Sequence, residues 1–555
     1  MTRASPMRST SHQWLLGKST TGAVPLKVLH PSRLPRRSCS CTPVQREQQE
    51  LGPKVQQVKP ARRATRGSYG PEPPKKIPRK TQNFSRGRTN PTNTSKLAKP
   101  DTPPDTLDHR ALGAELSLFI GDTSSPGSPL FQPDGAHIFQ KLQALLRAQY
   151  PSFGFQEVIT PNLYKEDLWR QSGHWDNYKD AMFAVKGGTA LNDDDNARYS
   201  LKPMNCPGHC LLYKSRNRSW RELPIRYADF AALHRNEVSG SLSGLTRVRR
   251  FHQDDGHIFC TPDQVRQEII STLKFVELVY NTLRVGPYKL FLSTKPFHEF
   301  IGSDETWKIA EDQLKDALNQ SGHTWSVKAG EGAFYGPKID IVLTDKHGKE
   351  HQTATIQLDF QLPKRFGLQY VGQEPGIPVM IHRAILGSLE RFMALLIEQF
   401  QGHWPFWLSP RQLTILTVGE SAEVLAYASE MAKQLACPIP ATYGLKPLPL
   451  SHPRYNVDTD FRNETLAKKL LGAKTKKYNI ICIIGEKNVK GKCLDLDFSA
   501  QPMEKETLQI LNRVKPGARS PRQKIISTKV RGIPGVKLNL YETQLVMKML
   551  CESYL

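Results

Sequence analysis

The spacing of apolar side chains predicts a helix followed by a strand near residue 150. Over residues 137–150 the apolar positions recur at helical spacing, so one face of the predicted helix is apolar. Residues 155–159 then have the composition of a strand, which Pro161 ends. The apolar face of the predicted helix consists of Ile138, Leu142, Leu145 and Leu146.

The pattern predicts two domains of different type. From residue 108 to residue 404, short apolar strands alternate with turn clusters and a few helices, and no glycine-rich fingerprint follows a parallel strand. We therefore predict an α/β (α+β) fold there, with an antiparallel sheet flanked by helices. Residues 405–515 change to strand, helix and strand, which predicts a small α/β domain. The predicted elements are a strand at 413–418, a helix at 421–435 and a strand at 478–484.

The two ends of the chain have a different character. Residues 1–46 contain no Asp or Glu but many Arg, Ser and Thr, which is typical of a mitochondrial transit peptide. A basic arm that helps to hold nucleic acid is the alternative. Residues 47–107 are rich in Pro, Gln, Lys and Arg and poor in large apolar residues, so we expect a disordered basic linker. For the extension 516–555 the sequence indicates no role.

Composition narrows the class of protein. The 555 residues suffice for several domains, and the net charge is +25. Residues 1–107 hold 21 Lys/Arg and 5 Asp/Glu, so most of the excess, +16, lies in the N-terminal arm. Nine cysteines at irregular spacing argue against a secreted disulfide framework and favour a reducing compartment. No apolar run approaches the roughly 18 residues of a membrane span, so we expect no membrane association.

Three blocks crowd polar, charged and zinc-competent residues into segments that should otherwise be core. An Arg-x-Glu pair, a more distant Arg and an aromatic ring suggest a nucleotide site, with guanidinium groups for phosphate and a ring for stacking. The alternative is a solvated strand with ordinary ion pairs. The blocks are 201–209 (LKPMNCPGH), 233–237 (LHRNE) with 247–259 (RVRRFHQDDGHIF), and 381–391 (IHRAILGSLER).

Together with three further segments, these blocks resemble the threonyl-tRNA synthetases, which are class II aminoacyl-tRNA synthetases. The resemblance runs from about residue 108 to about residue 489, and it is closest to the mitochondrial, fungal-type members without N-terminal appendages. The class II motifs would end at Pro161, surround Arg235 and end at Arg391. The further segments are 173–183 (GHWDNYKDAMF), 330–338 (GEGAFYGPK) and 355–363 (TIQLDFQLP).

The resemblance implies ATP-dependent activation of L-threonine to threonyl-adenylate and transfer to tRNA(Thr). Arg235 and Arg391 would be the catalytic residues, since charge that develops on phosphate rewards positioned cations. Mg²⁺ would accompany ATP. The implied ATP-binding residues are Arg235, Glu237, Arg247, Phe251, Gln352 and Arg391. The implied threonine-binding residues are Met204, Asp255, Tyr335 and Gln357. The implied ligands of one Zn²⁺ are Cys206, His257 and His382.

In this family zinc binds the amino and hydroxyl groups of threonine, and Asp255 would accept the hydroxyl proton. Valine, without a hydroxyl, should be rejected, whereas serine should be admitted at a low rate. His209 and Cys210, which with Cys206 could be misread as a zinc knuckle, are interpreted as structural. Residues 1–107 contain only His12 and His30 and no HxxxH, so we expect no cis-editing of Ser-tRNA(Thr).

The remaining expectations concern partners and location. Asn463 corresponds to an anticodon contact in the C-terminal anticodon-binding domain, and the family implies a homodimer. The matrix of mitochondria is the expected location, with the cytoplasm as the alternative. The alternative function is a synthetase-like RNA-binding paralogue without aminoacylation activity. Loss of a motif arginine or a metal ligand would indicate that paralogue, and the sequence retains them all.

Overall fold

The structure is a computed structural model that describes residues 108–186, 198–298, 300–345, 348–438, 447–516 and 535–555. The predicted transit peptide (1–46) and all of the predicted linker (47–107) therefore lie outside the described residues. All the described residues belong to one unit of the chain, Ala98–Leu555.

The N-terminal domain begins at Asp108, whose carboxylate caps the first helix by accepting from the backbone N–H groups of Arg110 and Ala111. Its strands are β1 (Phe119–Ile120), β2 (Leu130–Phe131), β3 (Gln156–Glu157), β4 (Leu163–Lys165), β5 (Ala184–Val185), β6 (Tyr199–Leu201), β7 (Ile225–Asp229), β8 (Ala232–His234), β9 (Arg250–Cys260), β10 (Tyr288–Ser293), β11 (Trp325–Lys328), β12 (Lys338–Thr344), β13 (Glu350–Asp359) and β14 (Val379–Ser388). Its helices are α1 (His109–Glu115), α2 (Pro133–Phe153), α3 (Glu166–Ser172), α4 (His174–Tyr178), α5 (Cys206–Lys214), α6 (Val265–Leu283), α7 (Asp304–Ser321), α8 (Leu362–Phe366) and α9 (Leu389–Phe400).

The helix predicted over residues 137–150 is confirmed as the inner part of α2. Its four apolar positions are all buried and pack into the large core that α6, α9 and the main sheet share. The strand predicted over residues 155–159 is shorter than expected, since only Gln156 and Glu157 pair with β7. Beyond them Ile159 is 90% exposed, so the predicted strand overestimates the paired segment.

The main sheet confirms the predicted fold class. Its strands run in the order β11-β10-β12-β13-β14-β9-β7-β3, and β8 adds to β9. Pairing is antiparallel except between β10 and β11 and between β3 and β7. In the central strands, His257 of β9 lies directly opposite His382 of β14, and His382 lies opposite Gln357 of β13. Since alternate residues share a face, Asp255 and His257 point to the same side of the sheet.

The C-terminal domain has a five-stranded sheet in the order β16-β15-β17-β18-β19. The strands predicted at 413–418 and 478–484 are confirmed as β15 and β17, and the helix predicted at 421–435 is confirmed as α10. The strands are β15 (Leu413–Thr417), β16 (Val457–Asp460), β17 (Ile480–Ile484), β18 (Leu494–Asp497) and β19 (Val536–Leu538). The helices are α10 (Ala422–Ala436), α11 (Leu466–Thr475), α12 (Glu486–Gly491), α13 (Glu504–Val514) and α14 (Leu540–Glu552).

The tail, for which the sequence indicated no role, completes this second sheet. β19 pairs with β18, and α14 buries Val546, Met547 and Leu550 against the same core as Ile415 and Ile484. Over residues 535–555 the predicted extension is therefore part of the C-terminal fold. Among the described helices, none is both long enough and apolar enough to cross a membrane.

Candidate active site

A pocket of about 510 Å³ opens on the face of the main sheet between β9, β12, β13 and β14. The sheet brings to it residues from segments far apart in the sequence. Every residue predicted for ATP, threonine or metal lines this pocket: Met204, Cys206, Arg235, Glu237, Arg247, Phe251, Asp255, His257, Tyr335, Gln352, Gln357, His382 and Arg391. Asn463 does not, because it lies exposed between β16 and α11 of the C-terminal domain.

One part of the pocket concentrates positive charge. The guanidinium of Arg235 lies 5.0 Å from the centroid of the Phe251 ring, and Arg391 donates from Nε to the carbonyl of Thr246 at 3.0 Å. Burial, with Arg235 and Arg247 nearby, lowers the pKa of Arg391. Three arginines that repel one another are held together here, which favours a polyanion as ligand.

A carboxylate beside these arginines is already paired. Glu237 accepts from Arg247, with the nearest guanidinium nitrogen 2.8 Å from Oε2. Both side chains are at least partly exposed to solvent, so this ion pair contributes little to stability and can be exchanged for a ligand at small cost. Arg235 and Glu237, the Arg-x-Glu pair of the sequence, therefore lie in a part of the pocket that can accept a nucleotide.

The wall formed by β12 and β13 is a hydrogen-bonded network around Asp340. This buried carboxylate accepts from the ammonium of Lys338 at 2.6 Å, from the hydroxyl of Ser293 at 2.8 Å and from the amide of Gln352. The predicted Gln352 is thus held in place by Asp340, which no sequence motif singled out. Lys338 adds a cation to the pocket lining.

The opposite part of the pocket contains a cluster of three metal-competent side chains. The candidate ligand atoms of Cys206, His257 and His382 lie within 4.8 Å of one another, and all three residues are buried. Nε2 of His257 is 3.0 Å from Nδ1 of His382. Cys206 is the first residue of α5, and the two histidines are the register partners of β9 and β14.

The protonation states of the cluster suit a metal ion. Burial lowers the pKa of His257 well below its usual range, so its imidazole stays neutral and keeps a free lone pair. Burial raises the pKa of the Cys206 thiol well above its usual range, so a nearby cation is needed to stabilise the thiolate. One thiolate with two imidazoles is a donor set that zinc accepts, and it leaves a fourth position for a ligand.

Asp255 lies next to this cluster on β9. Its Oδ2 accepts from the amide of Asn205 at 3.1 Å, and its Oδ1 is 3.8 Å from Nε2 of His257. Across the pocket, the hydroxyl of Tyr335 donates to Oε1 of Gln357. A small polar molecule between these groups would meet a carboxylate, an amide and the metal cluster.

Comparison with known proteins places this site in a family. The model of the tRNA synthetase class II core domain (G, H, P, S and T) matches residues 183–400. A probable mitochondrial threonine–tRNA ligase of Schizosaccharomyces pombe is 48% identical over 437 residues, which cover 76% of this chain and 91% of that protein. The chain belongs to the threonyl-tRNA synthetase family.

Two further relatives agree with this membership. The mitochondrial threonine–tRNA ligase of Saccharomyces cerevisiae is 48% identical over 386 residues, which cover 67% of this chain and 82% of that protein. A crystal structure described as the RNA-binding domain of threonyl-tRNA synthetase from Cryptosporidium parvum Iowa II is 41% identical, with a TM-score of 0.67 over 80% of this chain and 98% of that one. Both fungal relatives are named mitochondrial, which supports the predicted mitochondrial matrix.

Some residues of this synthetase-family site were not predicted from the sequence. His174, in the segment 173–183, has Nε2 3.6 Å from the sulfur of Cys206, and burial lowers its pKa to about 4. His209, interpreted as structural, has Nδ1 2.7 Å from Nδ1 of His257. Both lie in segments that were quoted as motifs, but neither pattern says which side chain a histidine will contact.

Proposed function

We propose that the chain is a threonine–tRNA ligase that activates L-threonine with ATP and transfers the threonyl group to tRNA(Thr). The observation that carries the proposal is one pocket that holds both an arginine cluster and the Cys206, His257 and His382 cluster, with Asp255 beside it. The first cluster suits a nucleotide triphosphate. The second suits a small molecule with both an amine and a hydroxyl.

Activation depends on position and charge. Arg235 would hold the α-phosphate, Phe251 would stack on adenine and Glu237 would accept from the adenine amine. Arg247 and Arg391 would hold the γ-phosphate, so that Arg247 exchanges its ion pair with Glu237 for one with ATP. Gln352, fixed through Asp340, would also contact ATP. Mg²⁺ would supply further positive charge on the phosphates.

Selection of the amino acid depends on the metal cluster and its neighbours. Cys206, His257 and His382 would hold Zn²⁺, which supplies a Lewis acid for the amine and hydroxyl of threonine. Asp255 would accept the hydroxyl proton, while Tyr335, Gln357 and Met204 would line the rest of the pocket. Valine lacks the hydroxyl, so it leaves buried polar groups unpaired and is strongly disfavoured.

Serine presents a harder problem for this pocket. It keeps both polar groups and lacks one methyl group, a difference worth about 1–3 kcal/mol. Serine should therefore be activated slowly but measurably. The absence of cis-editing stays a prediction, and hydrolysis of Ser-tRNA(Thr) by the purified protein above the rate of a blank would contradict it.

Contacts with tRNA and with a second subunit are also proposed. Asn463 would contact the anticodon, and its exposed position in the C-terminal domain is compatible with that role. A homodimer is supported by exposed apolar side chains on either side of Pro161, where motif 1 ends, namely Ile159 and Leu163. Such side chains favour a protein partner over solvent.

The experiment that tests the function is ATP–pyrophosphate exchange with threonine, serine and valine on the purified full-length protein, with zinc content measured in parallel. We expect strong exchange with threonine, weaker exchange with serine, none with valine and about one zinc per chain. Arg391→Ala should lower the rate by about 100–1000-fold, as expected for loss of a positioned cation. The exposed Arg266 on α6 provides the matched control, Arg266→Ala.

Exchange with no amino acid, from folded protein that contains zinc, would contradict the proposal. It would favour the paralogue that binds RNA without aminoacylation.

A further inference from the structure

Each histidine of the metal cluster has an outer hydrogen-bond partner on the side away from the cluster. Nε2 of His382 lies 2.9 Å from Oδ2 of Asp359, and Nδ1 of His257 lies 2.7 Å from Nδ1 of His209. Both partners are fully buried. The remaining ring nitrogens, Nδ1 of His382 and Nε2 of His257, face each other within the cluster.

This arrangement determines where the ring protons must lie when a metal is bound. A neutral imidazole has one N–H and one lone pair, and only the nitrogen with the lone pair can bind a metal. His382 must then carry its proton on Nε2, where Asp359 accepts it. His257 must carry its proton on Nδ1, where Nδ1 of His209 accepts it. The two ligands therefore use opposite nitrogens of their rings.

Asp359 is itself held in place, and His209 has a buried carboxylate beside it. The second oxygen of Asp359 accepts from the backbone N–H groups of Gln361 at 2.7 Å and Leu362 at 3.0 Å, which fixes the carboxylate at the start of α8. On the other side, Nε2 of His209 lies 3.8 Å from Oδ2 of Asp229, beyond hydrogen-bond distance. The carboxylate of Asp229 is anchored by Thr160 through its backbone N–H and its hydroxyl.

We propose that Asp359 and His209 are positioning residues of the metal site, which hold His382 in the tautomer that presents Nδ1 and His257 in the tautomer that presents Nε2. The inference rests on the metal site of the proposed function. It goes further, because it assigns roles to two residues outside the three ligands and states which nitrogen of each ring binds. Outer partners of this kind typically change metal affinity by about 10–100-fold.

The role of Asp359 is tested by measuring zinc affinity. The measurement uses competition with a chromophoric chelator on the full-length protein after metal removal. Asp359→Asn keeps an oxygen for the backbone N–H groups but can turn an amide N–H towards His382. That favours the ring tautomer with its proton on Nδ1, which cannot bind metal, so we expect zinc affinity about 10–100-fold lower. The matched control is Asp345→Asn, which alters a similar pair, His351 with Asp345 at 2.8 Å. Zinc affinity should then be unchanged.

The role of His209 is tested with two variants. His209→Ala removes the acceptor for Nδ1 of His257 and should weaken zinc binding to a similar extent. His209→Asn places an amide oxygen close to the position of the lost Nδ1, so it should restore most of the affinity. Thermal unfolding of each protein in the metal-free state reports whether the substitution damages the fold itself.

The possible outcomes separate the two proposals. Zinc affinity equal to the unmodified protein in both Asp359→Asn and His209→Ala, with unchanged metal-free unfolding, would overturn the positioning roles and leave the proposed function in place. A protein that binds no zinc at all would overturn the metal site and this inference together. If a variant at one of the two residues fails to fold, the variants at the other residue test whether an outer partner positions its metal ligand.

Discussion

Asp255 has one carboxylate oxygen engaged and the other turned towards the metal cluster. Asn205 holds Oδ2, while Oδ1 is 3.8 Å from Nε2 of His257, beyond hydrogen-bond distance. Burial raises the pKa of this carboxyl, and a nearby cation would oppose that shift. In the proposed complex that cation is the zinc ion. Asp255 would then accept a hydrogen bond from the hydroxyl of threonine, which the corresponding methyl group of valine cannot donate.

Asp255→Asn should therefore lower kcat/KM for threonine in pyrophosphate exchange by about 10–150-fold, the equivalent of one hydrogen bond to a charged group. Exchange with valine should stay undetectable or rise slightly, so the preference for threonine over valine becomes smaller. Asp263→Asn, at an exposed position before α6, serves as the control. An unchanged rate with threonine would rule out the proposed role of Asp255.

At the scale of single residues, the sequence predicted the lining of the pocket but not the contacts between its members. The three metal ligands are 51 and 125 residues apart, so only resemblance to a family identified them. Asp340 was missed because its partner Gln352 lies on another strand, and Lys338 was missed because it is fixed through Asp340. Local spacing carries no information about pairing across strands.

Among the elements, β14 owes its shape to one glycine. The register with β9 shifts between Ala384 and Ser388, and Gly387 in this bulge has φ +67°. A Cβ there would lie 2.2 Å from the carbonyl oxygen of Thr353 on β13. The glycine thus lets β14 approach β13 closely just before Arg391 enters α9.

Gly387→Ala should lower the free energy of unfolding by more than about 2 kcal/mol, since it combines backbone strain with a clash against a strand. Threonine-dependent exchange should fall as well, because Ser388 and Arg391 move with the bulge. Urea unfolding and the exchange assay measure the two effects. Gly322→Ala is the control, since Gly322 has φ +75° but no atom within 4 Å of the added Cβ. An equal cost at both positions would show that strain alone matters.

The contact between α2 and the C-terminal domain contains a partly buried histidine, His137. Nδ1 of His137 is 3.3 Å from the amide of Asn456, and burial, with a contribution from Lys141, lowers the pKa of His137 to about 4. The unfolded chain takes up this proton near pH 6.5, whereas the folded chain resists it. His137 therefore disfavours the folded state progressively as the pH falls from about 6.5 to about 4, and has no such effect above that range.

Replacement by Asn removes the titration and keeps an acceptor near the position of Nδ1. Between pH 7 and pH 5, the loss of unfolding free energy should be about 1–2 kcal/mol smaller in His137→Asn than in the unmodified protein. Chemical unfolding at the two pH values measures this difference, and other titrating groups cancel in the comparison. Parallel pH dependence in both proteins would contradict the assignment.

Elements with strong periodicity were predictable, and those that depend on pairing were not. α2 has its predicted apolar face, because a continuous core lies on one side of it. β3 is only two residues long, because it pairs with β7 alone and the chain beyond it leaves the sheet. Residues 536–549 contain a strand followed almost directly by a helix, so no single periodicity describes the whole segment.

For the whole molecule, the exposed apolar side chains around motif 1 predict a dimer in solution. Ile159→Asp should shift the protein towards monomer in sedimentation velocity, because a buried, unpaired charge in an interface is costly. Ile309→Asp, at an exposed position on α7, should leave the distribution unchanged. Monomeric behaviour of the unmodified protein at micromolar concentration would contradict the proposed homodimer.

The C-terminal fold should depend on the tail. Leu550 is fully buried in the core that α14 shares with the C-terminal sheet. Leu550→Ala should lower the stability of this domain by about 2–5 kcal/mol through the cavity that it leaves. Tyr541→Ala, on the exposed side of the same helix, should cost far less. Limited proteolysis followed by mass spectrometry locates the destabilised region. Equal protection of the C-terminal domain from proteolysis in both variants would show that its stability does not depend on Leu550.

The position of β19 and α14 has a consequence for synthesis. A ribosome makes β15 first and delivers β19 more than a hundred residues later, so the sheet that begins at Leu413 waits for Val536–Leu538 to emerge from the exit tunnel. Until then the apolar side chains of Leu494 and Leu496 are not covered by β19 and α14. The described strands of the N-terminal domain, by contrast, are all complete by residue 388. During this interval the nascent chain has a complete N-terminal domain and an incomplete C-terminal domain with exposed apolar side chains. A chaperone would bind the incomplete domain at this stage.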